Sequence, residues 1–326
     1  MKKKVIIQAY ETRHRSLASA IDVAQGFENL KMGDRVLIKP NLVSWDTSIT
    51  QPPYGVLTTT RIVEELIQIL QEQGFKSISI GEGSVMMGNG TGTKEAFQGL
   101  GYTHLAEKYG VKLIDFNDSP SIVHKTPEGL AVNIAKDAIE ADFFINVPVL
   151  KTHSQTKVSL GIKNLKGCLK AASKKQFHHP QNGLDHSIQY LPDFIKPHLT
   201  IIDGIYALEQ GPLYYGKAIR KNILVVSTDL VGADLVGAKL IGYEADQIRH
   251  LTEYATRSNC SLNLNDYEIL GESIEQHITP LKWDWEWNAA NTGPLAFDKL
   301  GIQNIALPKY DRSEEHTSEL QSPNTI

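Results

Sequence analysis

Five apolar runs in this sequence end on residues able to do chemistry. Val36-Leu37-Ile38 leads into Lys39-Pro40-Asn41, Ile78-Ser79-Ile80 into Gly81-Glu82-Gly83-Ser84, and Phe144 to Leu150 into Lys151-Thr152-His153. Leu199 to Ile202 ends at Asp203-Gly204, and Leu224 to Val226 at Ser227-Thr228-Asp229. In open α/β sheets ligands bind outside the carboxyl ends of the strands, so these ends are expected to converge on one crevice. Helix capping accounts equally well for Asp203 and Asp229. It does not account for Lys39, Lys151 or His153, because cations are disfavoured at helix N-termini.

The residue types suggest roles. His153 beside lysines has its cationic form disfavoured and is expected to serve as a neutral general base. Lys151 and Lys163 are expected to hold a carboxylate or phosphate and to stabilise developing negative charge, with Lys39 nearby. Asn41, Asn146 and Asn164 would orient polar groups. Glu82 and Asp203, with Asp229 or Asp234, form an alternative set for a hard divalent cation. Asp229 is preferred because it lies at a strand end, and no metal is assigned. Gly81, Gly83 and Ser84, followed by Gly88-x-Gly90-x-Gly92, make a turn whose amides could cradle an anion or a glycine-rich lid; the spacing is neither a Walker loop nor GxGxxG.

The stretch from Phe143 to Leu184 contains no Asp or Glu and seven lysines: Lys151, Lys157, Lys163, Lys166, Lys170, Lys174 and Lys175. His153, His178 and His179 lie in it too. A solvated face normally mixes both signs, so forty-two residues without an acid point to an anionic ligand.

The elements that must position these residues alternate. Strand-length runs at Val5–Ala9, 35–38, 77–80, 111–116, 142–149, 199–202 and 223–226 are interleaved with helical patterns. The helical stretches are 17–27, the stripe Ile62, Leu66, Ile69 and Leu70 ended by Gly74, 94–109, 233–241 and 248–255. This predicts an α/β fold, a mostly parallel sheet with helices on both faces, with a weak division near residue 150. Trp283, Trp285 and Trp287 alternate with acids and are expected to pack on the main body.

Composition narrows the function classes. The chain has 326 residues, 41% hydrophobic and 21% charged, and two cysteines, Cys168 and Cys260. It is neither a disordered tail nor a disulfide scaffold, and its own cysteines cannot supply the four thiolates of an iron–sulfur cluster. No CxxC or HExxH pair indicates zinc. The apolar run after Met1-Lys2-Lys3-Lys4 is only Val5-Ile6-Ile7, too short for a signal-peptide core, and no apolar run reaches 18 residues. The expectation is a cytoplasmic protein without a membrane partner. A net charge of −4 and the absence of a recognised motif argue against nucleic acid.

Several segments resemble the DUF362 family, a domain of unknown function. They are Ile38 to Leu42, Asn146 to His153, Ser159 to Gly167, Ile202-Asp203-Gly204 with Gly211-Pro212, and Ser227 to Asp234. They occur in the family's order over roughly residues 35–260. Some members add a ferredoxin-like module, and this chain shows no such cysteine cluster. His153, Lys163 and His179, spaced His-x9-Lys-x15-His, also resemble the nickel-pincer lactate racemases. In those enzymes the lysine carries the pincer and the histidines bind nickel or move the proton. Their glycine-rich turn carries a further histidine that Gly81 to Ser84 lacks.

Arg312 to Ser322, RSEEHTSELQS, resembles one translated frame of a common short-read sequencing adapter. Residues 1–311 are therefore expected to be one family domain, and 312–326 an artefactual tail. The reading from sequence is an enzyme of unassigned class acting on a carboxylate- or phosphate-bearing small molecule. The alternative is a non-enzymatic anion- or cofactor-binding protein, or a redox partner whose iron–sulfur module is not in this chain. A third reading is racemase-like proton transfer with a pincer on Lys163. Cofactor and oligomeric state are left unassigned.

Overall fold

A computed structural model describes residues 2–45, 54–85, 92–178, 183–211 and 216–284. The strands are β1 (Lys3–Ala9), β2 (Val36–Pro40), β3 (Ile78–Glu82), β4 (Lys112–Asp115), β5 (Ser121–Lys125) and β6 (Ala131–Ala135). They continue with β7 (Phe143–Val147), β8 (Val149–His153), β9 (Lys157–Ser159), β10 (Leu199–Glu209), β11 (Lys217–Ser227) and β12 (Tyr267–Gly271). The main sheet runs β12-β1-β11-β10-β7-β2-β3-β4, with β8 paired to β10 and β9 to β8, while β5 and β6 form a separate hairpin. Strands β10, β7, β2, β3 and β4 are parallel throughout. The mostly parallel α/β sheet expected from sequence is what forms.

Alternation along each strand sends successive side chains to opposite faces. Ile6, Ile38, Ile145 and Ile201 join one core with Leu17 of the helix Arg15–Val23 and with Ile62, Leu66 and Ile69 of the helix Thr60–Glu72. Their neighbours Ile7 and Ile202 face the helix Leu230–Leu240. Leu37 and Phe144 face the β5–β6 hairpin and the short helices between Leu165 and Phe194. Helices thus cover both faces. The helix Thr60–Glu72 stops where Gly74 takes φ +91°, a conformation that a β-carbon disfavours.

Three expectations change. The helix 94–109 is two, Thr93–Gly99 and Tyr102–Tyr109, because Gly101 between them has φ +82°. The run 142–149 is two strands divided at Pro148. The runs at 199–202 and 223–226 are the start and the end of two eleven-residue strands paired antiparallel, Thr200 opposite Ser227.

That last pairing corrects a site assignment. Strand β11 runs against β10, so Asp229 leaves the sheet beside the start of β10, at the edge opposite Lys39 and His153. It caps the helix Leu230–Leu240 by accepting from Gly232 N (2.7 Å) and pairs with Lys3.

Candidate functional site

The carboxyl ends of β2, β3 and β7, with the chain after β9, build one buried polar network. Lys39 at the end of β2 is fully buried. Its Nζ donates to Glu82 Oε2 (2.8 Å), to the Pro40 carbonyl (2.8 Å) and to Asn164 Oδ1 (3.3 Å). Glu82 also accepts from the Leu42 and Gly83 amides at 2.9 and 2.8 Å, so both of its oxygens are engaged. Asn164 Oδ1 takes a second bond from Asn41 Nδ2 (3.0 Å), and its Nδ2 donates to Asn146 Oδ1 (2.8 Å). Lys151, buried on β8, donates to Asn41 Oδ1 (2.8 Å) and the Val56 carbonyl (2.7 Å). Lys39, Asn41, Glu82, Lys151 and Asn164 are therefore joined, the first four following strand-length runs and Asn164 reaching them from the short helix Gly161–Asn164.

Close packing explains two glycines. A β-carbon on Gly167 would lie 2.1 Å from Glu82 Oε1 and 2.6 Å from Lys39 Nζ, and one on Gly83 would lie 2.7 Å from both the Gly167 carbonyl and Lys174 Nζ. Gly81 instead packs on the Phe116 ring, where a β-carbon would come within 2.3 Å, so it serves the core. Ser84 is a brace: its Oγ donates to the Leu42 carbonyl (2.5 Å) and its amide to Thr93 Oγ1 (3.0 Å). Gly92 opens the helix Thr93–Gly99, its amide donating to Glu95 Oε2 (2.7 Å). Gly88 and Gly90 lie outside the described residues.

The acid-free stretch turns inward. Lys151, Lys166 and Lys174 are buried and Lys175 is exposed. Lys163 is half-buried on the short helix Gly161–Asn164. Lys174 Nζ donates to the Gly83 carbonyl and to Asn117 Oδ1 (3.3 Å), bringing the helix Ala171–Phe177 against the β3 turn. Lys170 reaches the carbonyls of Asn117 (2.9 Å) and Ser119. Lys166 Nζ lies 2.6 Å from His178 Nε2, whose ring Nδ1 is 3.2 Å from Gln155 Oε1. His153, buried at the end of β8, accepts at Nδ1 from the Gln155 (3.1 Å) and Thr156 (3.3 Å) amides. His179 is outside the described residues.

Two buried carboxylates support the network from outside it. Asp203 accepts from Thr59 N (2.7 Å) and Ile205 N (3.0 Å), tying β10 to the start of the helix Thr60–Glu72. It sits inside β10 rather than at its end, and burial pushes its carboxyl up. Asp234 accepts from Gly161 N (2.6 Å) and Ile162 N (2.9 Å), fixing the turn that carries Lys163 and Asn164, and burial pushes its carboxyl up to about 6. Among the described residues no three His, Cys, Asp or Glu side chains gather as metal ligands, so Glu82, Asp203 and Asp229 do not meet. Cys168 is a buried core residue whose thiol burial pushes up to about 12. Trp283 is half-buried against Lys157, whose Nζ lies 5.8 Å from the ring centre, and Trp285, Trp287 and 312–326 fall outside the described residues.

Lys166, Lys174, His178 and Gln155 were not picked out as site residues from sequence, and Asp234 was offered only as an alternative ligand for a divalent cation. The available signal was the acid-free stretch itself, which counted the lysines and histidines without saying which face inward. Among the described residues no helix is long and apolar enough to cross a membrane.

Residues 36–239 match the family described as "Domain of unknown function (DUF362)". The chain is 30% identical over 236 residues to the thylakoid-associated protein sll1697 of Synechocystis sp., covering 68% of each chain. The lactate racemase apoprotein from Thermoanaerobacterium thermosaccharolyticum superposes with a TM-score of 0.46 at 16% identity. That alignment covers 71% of this chain and 56% of the racemase chain, so this chain spans little more than half the racemase's length.

Proposed function

The chain belongs to the DUF362 family, and from that premise we propose that it is an enzyme acting on a small carboxylate- or phosphate-bearing anion, bound in a crevice at the carboxyl edge of the sheet. One observation carries the reading: three lysines of the acid-free stretch, Lys151, Lys166 and Lys174, are buried, Lys174 against the Gly83 carbonyl and Lys166 next in the chain to Gly167, which packs on Lys39. Burying ammonium groups costs several kcal/mol each in desolvation, roughly, and an anion held among them offsets that cost. In this reading Lys163 and Lys166 attract the anion, Lys39 and Lys151 hold the Asn41–Asn164 pair in place, and His153 and His178 handle protons. The cytoplasm is the location we attach to it; cell fractionation tests this against association with thylakoids, which the name of the Synechocystis relative states for that protein.

The test is thermal unfolding of the full chain with phosphate or malonate at constant ionic strength. A ligand at a hundredfold excess over its Kd stabilises the folded state by about 2.7 kcal/mol. Wild-type protein should melt higher with one of the anions, and Lys166→Met should lose most of that response. A wild-type curve moved equally by chloride overturns the reading. The same preparation tests the pincer resemblance: added mass on the peptide containing Lys163 would move the chemistry there.

A further inference from the structure

The helix Leu184–Ser187 begins where the acid-free stretch ends, and it carries a histidine set between two carboxylates. His186 Nε2 lies 2.7 Å from Glu128 Oε1, and its Nδ1 lies 2.7 Å from Glu253 Oε2. Glu128 belongs to the turn between β5 and β6, and Glu253 to the helix Arg249–Arg257. Bonds from His186 and Tyr190 hold the Glu128 carboxyl below its ordinary range, so it is an anion. A carboxylate only accepts. Meeting one at each ring nitrogen takes two N–H groups, and the ring that has two is the imidazolium. Burial works against that charge, but Glu128 and Glu253 outweigh it and raise the ring's pKa above the ordinary histidine value.

The remaining charged and titratable groups around the ring have partners of their own. Arg249 Nη2 and Gln189 Nε2 lie 3.2 and 3.0 Å from His186 Nδ1. Arg249 Nε donates to Glu253 Oε1 (2.7 Å), and Gln189 Nε2 donates to Glu253 Oε2. Tyr190, edge-on to the His186 ring, donates to Glu128 Oε1 (2.9 Å) and faces Arg257, which pairs with Asp193. Asp185 Oδ1 meets His250 Nδ1 at 2.6 Å. Among the described residues Glu253 thus keeps two donors besides His186, whereas Glu128, 54% exposed, keeps the Tyr190 hydroxyl.

We infer that His186 is a protonation-controlled clamp: its imidazolium fastens the β5–β6 turn to the helix Leu184–Ser187, and loss of the Nε2 proton to solvent releases Glu128. The other ring proton stays on Nδ1. Arg249 and Gln189 fix Glu253, which would otherwise meet a bare nitrogen at 2.7 Å, while Glu128 is free to swing into water. The use of the clamp rests on the anion reading above. Strand β6 also holds the acid-free stretch at Asn133, whose carbonyl accepts from Lys170 N (3.0 Å) and whose amide donates to Ser173 Oγ (2.9 Å). One hairpin therefore grips the chain on both sides of Lys174, and of these two grips the one at His186 titrates. Because the folded-state pKa is raised, the clamp is fully engaged below the unfolded histidine value of about 6.5 and is lost as pH rises through the folded value.

The experiment follows the 15N-labelled full chain from mildly acid to mildly alkaline pH. His186→Gln assigns the ring among the 11 histidines. His186 should titrate above the histidines of the urea-unfolded chain, and Glu128→Gln and Glu253→Gln should each lower its midpoint. Amide hydrogen exchange reads the turn, where Gly129 N and Leu130 N donate to Thr126. On the acid side of the midpoint these two amides should be several-fold better protected in wild type than in His186→Gln, and on the alkaline side equally protected. Lys170 N, held by Asn133, should show no difference. A His186 midpoint at or below that of the unfolded chain, one indifferent to both carboxylate variants, or turn protection that does not follow the titration overturns the inference. Glu128→Gln changes an exposed side chain, so it keeps the test decisive where His186→Gln fails to fold: the histidine it moves is His186. No measurement uses phosphate, so failure of the clamp and failure of the anion reading are told apart.

Discussion

Replacing Glu82 by Gln removes the charge opposite Lys39 with almost no change in side-chain size. Lys39 is fully buried and Glu82 is 2% exposed, their charged atoms 2.8 Å apart. Breaking such a pair from one side leaves an ammonium in a poorly solvating interior, which costs about 3–5 kcal/mol. Glu82 also accepts from the Leu42 and Gly83 amides, and a glutamine with one carbonyl oxygen cannot serve both and Lys39. One further lost bond adds roughly 1 kcal/mol. The expected cost is therefore about 4–6 kcal/mol, a large part of the ~5–15 kcal/mol that holds most domains folded. Urea unfolding followed by circular dichroism measures it. Lys39→Met combined with Glu82→Gln removes the orphaned cation and should recover at least half of the loss. A cost below about 1 kcal/mol for Glu82→Gln, or a double variant as unstable as the sum of the singles, refutes the reasoning.

Two further outcomes are expected. Asp229→Ala removes the cap on the helix Leu230–Leu240 and should cost about 1 kcal/mol in urea unfolding while leaving any phosphate response at its wild-type size, since Asp229 lies at the far edge of the sheet. Asp234 has its carboxyl raised by burial from 3.8 to about 6, so its contribution to stability is fully present below the lower value and is lost as pH rises through about 6. Wild-type protein should lose on the order of 2–3 kcal/mol over that interval from this group, and Asp234→Asn should flatten that part of a pH series of urea midpoints.

The joined residues Lys39, Asn41, Glu82 and Lys151 were legible because an apolar run that stops at a polar residue is a local pattern. Parallel strands then carry such stops to one edge. Asp229 met the same rule and lies at the other edge, because strand direction is a property of pairing and not of the run itself. Asp234, five positions on, carries the structural load at Gly161 that the strand-end rule had no means to see. Lys166, Lys174 and His178 follow β9 in short helices, where no strand end marks them. Their inward direction comes from the distant partners they meet, Gly83 and Asn117 for Lys174. The split at Gly101 was visible as a glycine, but its φ of +82° was not.

The central place of β2 has a consequence for how the chain is made. Its neighbour β3 follows it closely in sequence, but its other neighbour, β7, does not; Arg35 and Asp142, which bond where these two strands begin, are 107 residues apart. At about 5–20 residues per second of synthesis, β2 waits roughly 5–20 seconds with one edge unpaired. Such an edge recruits other strands. Lys39 is already in reach of Glu82 during that interval, so the nascent edge carries a charge at its end while it waits for β7. Substitutions that neutralise this end are then expected to lower the yield of folded chain during synthesis beyond what their equilibrium cost alone would cause.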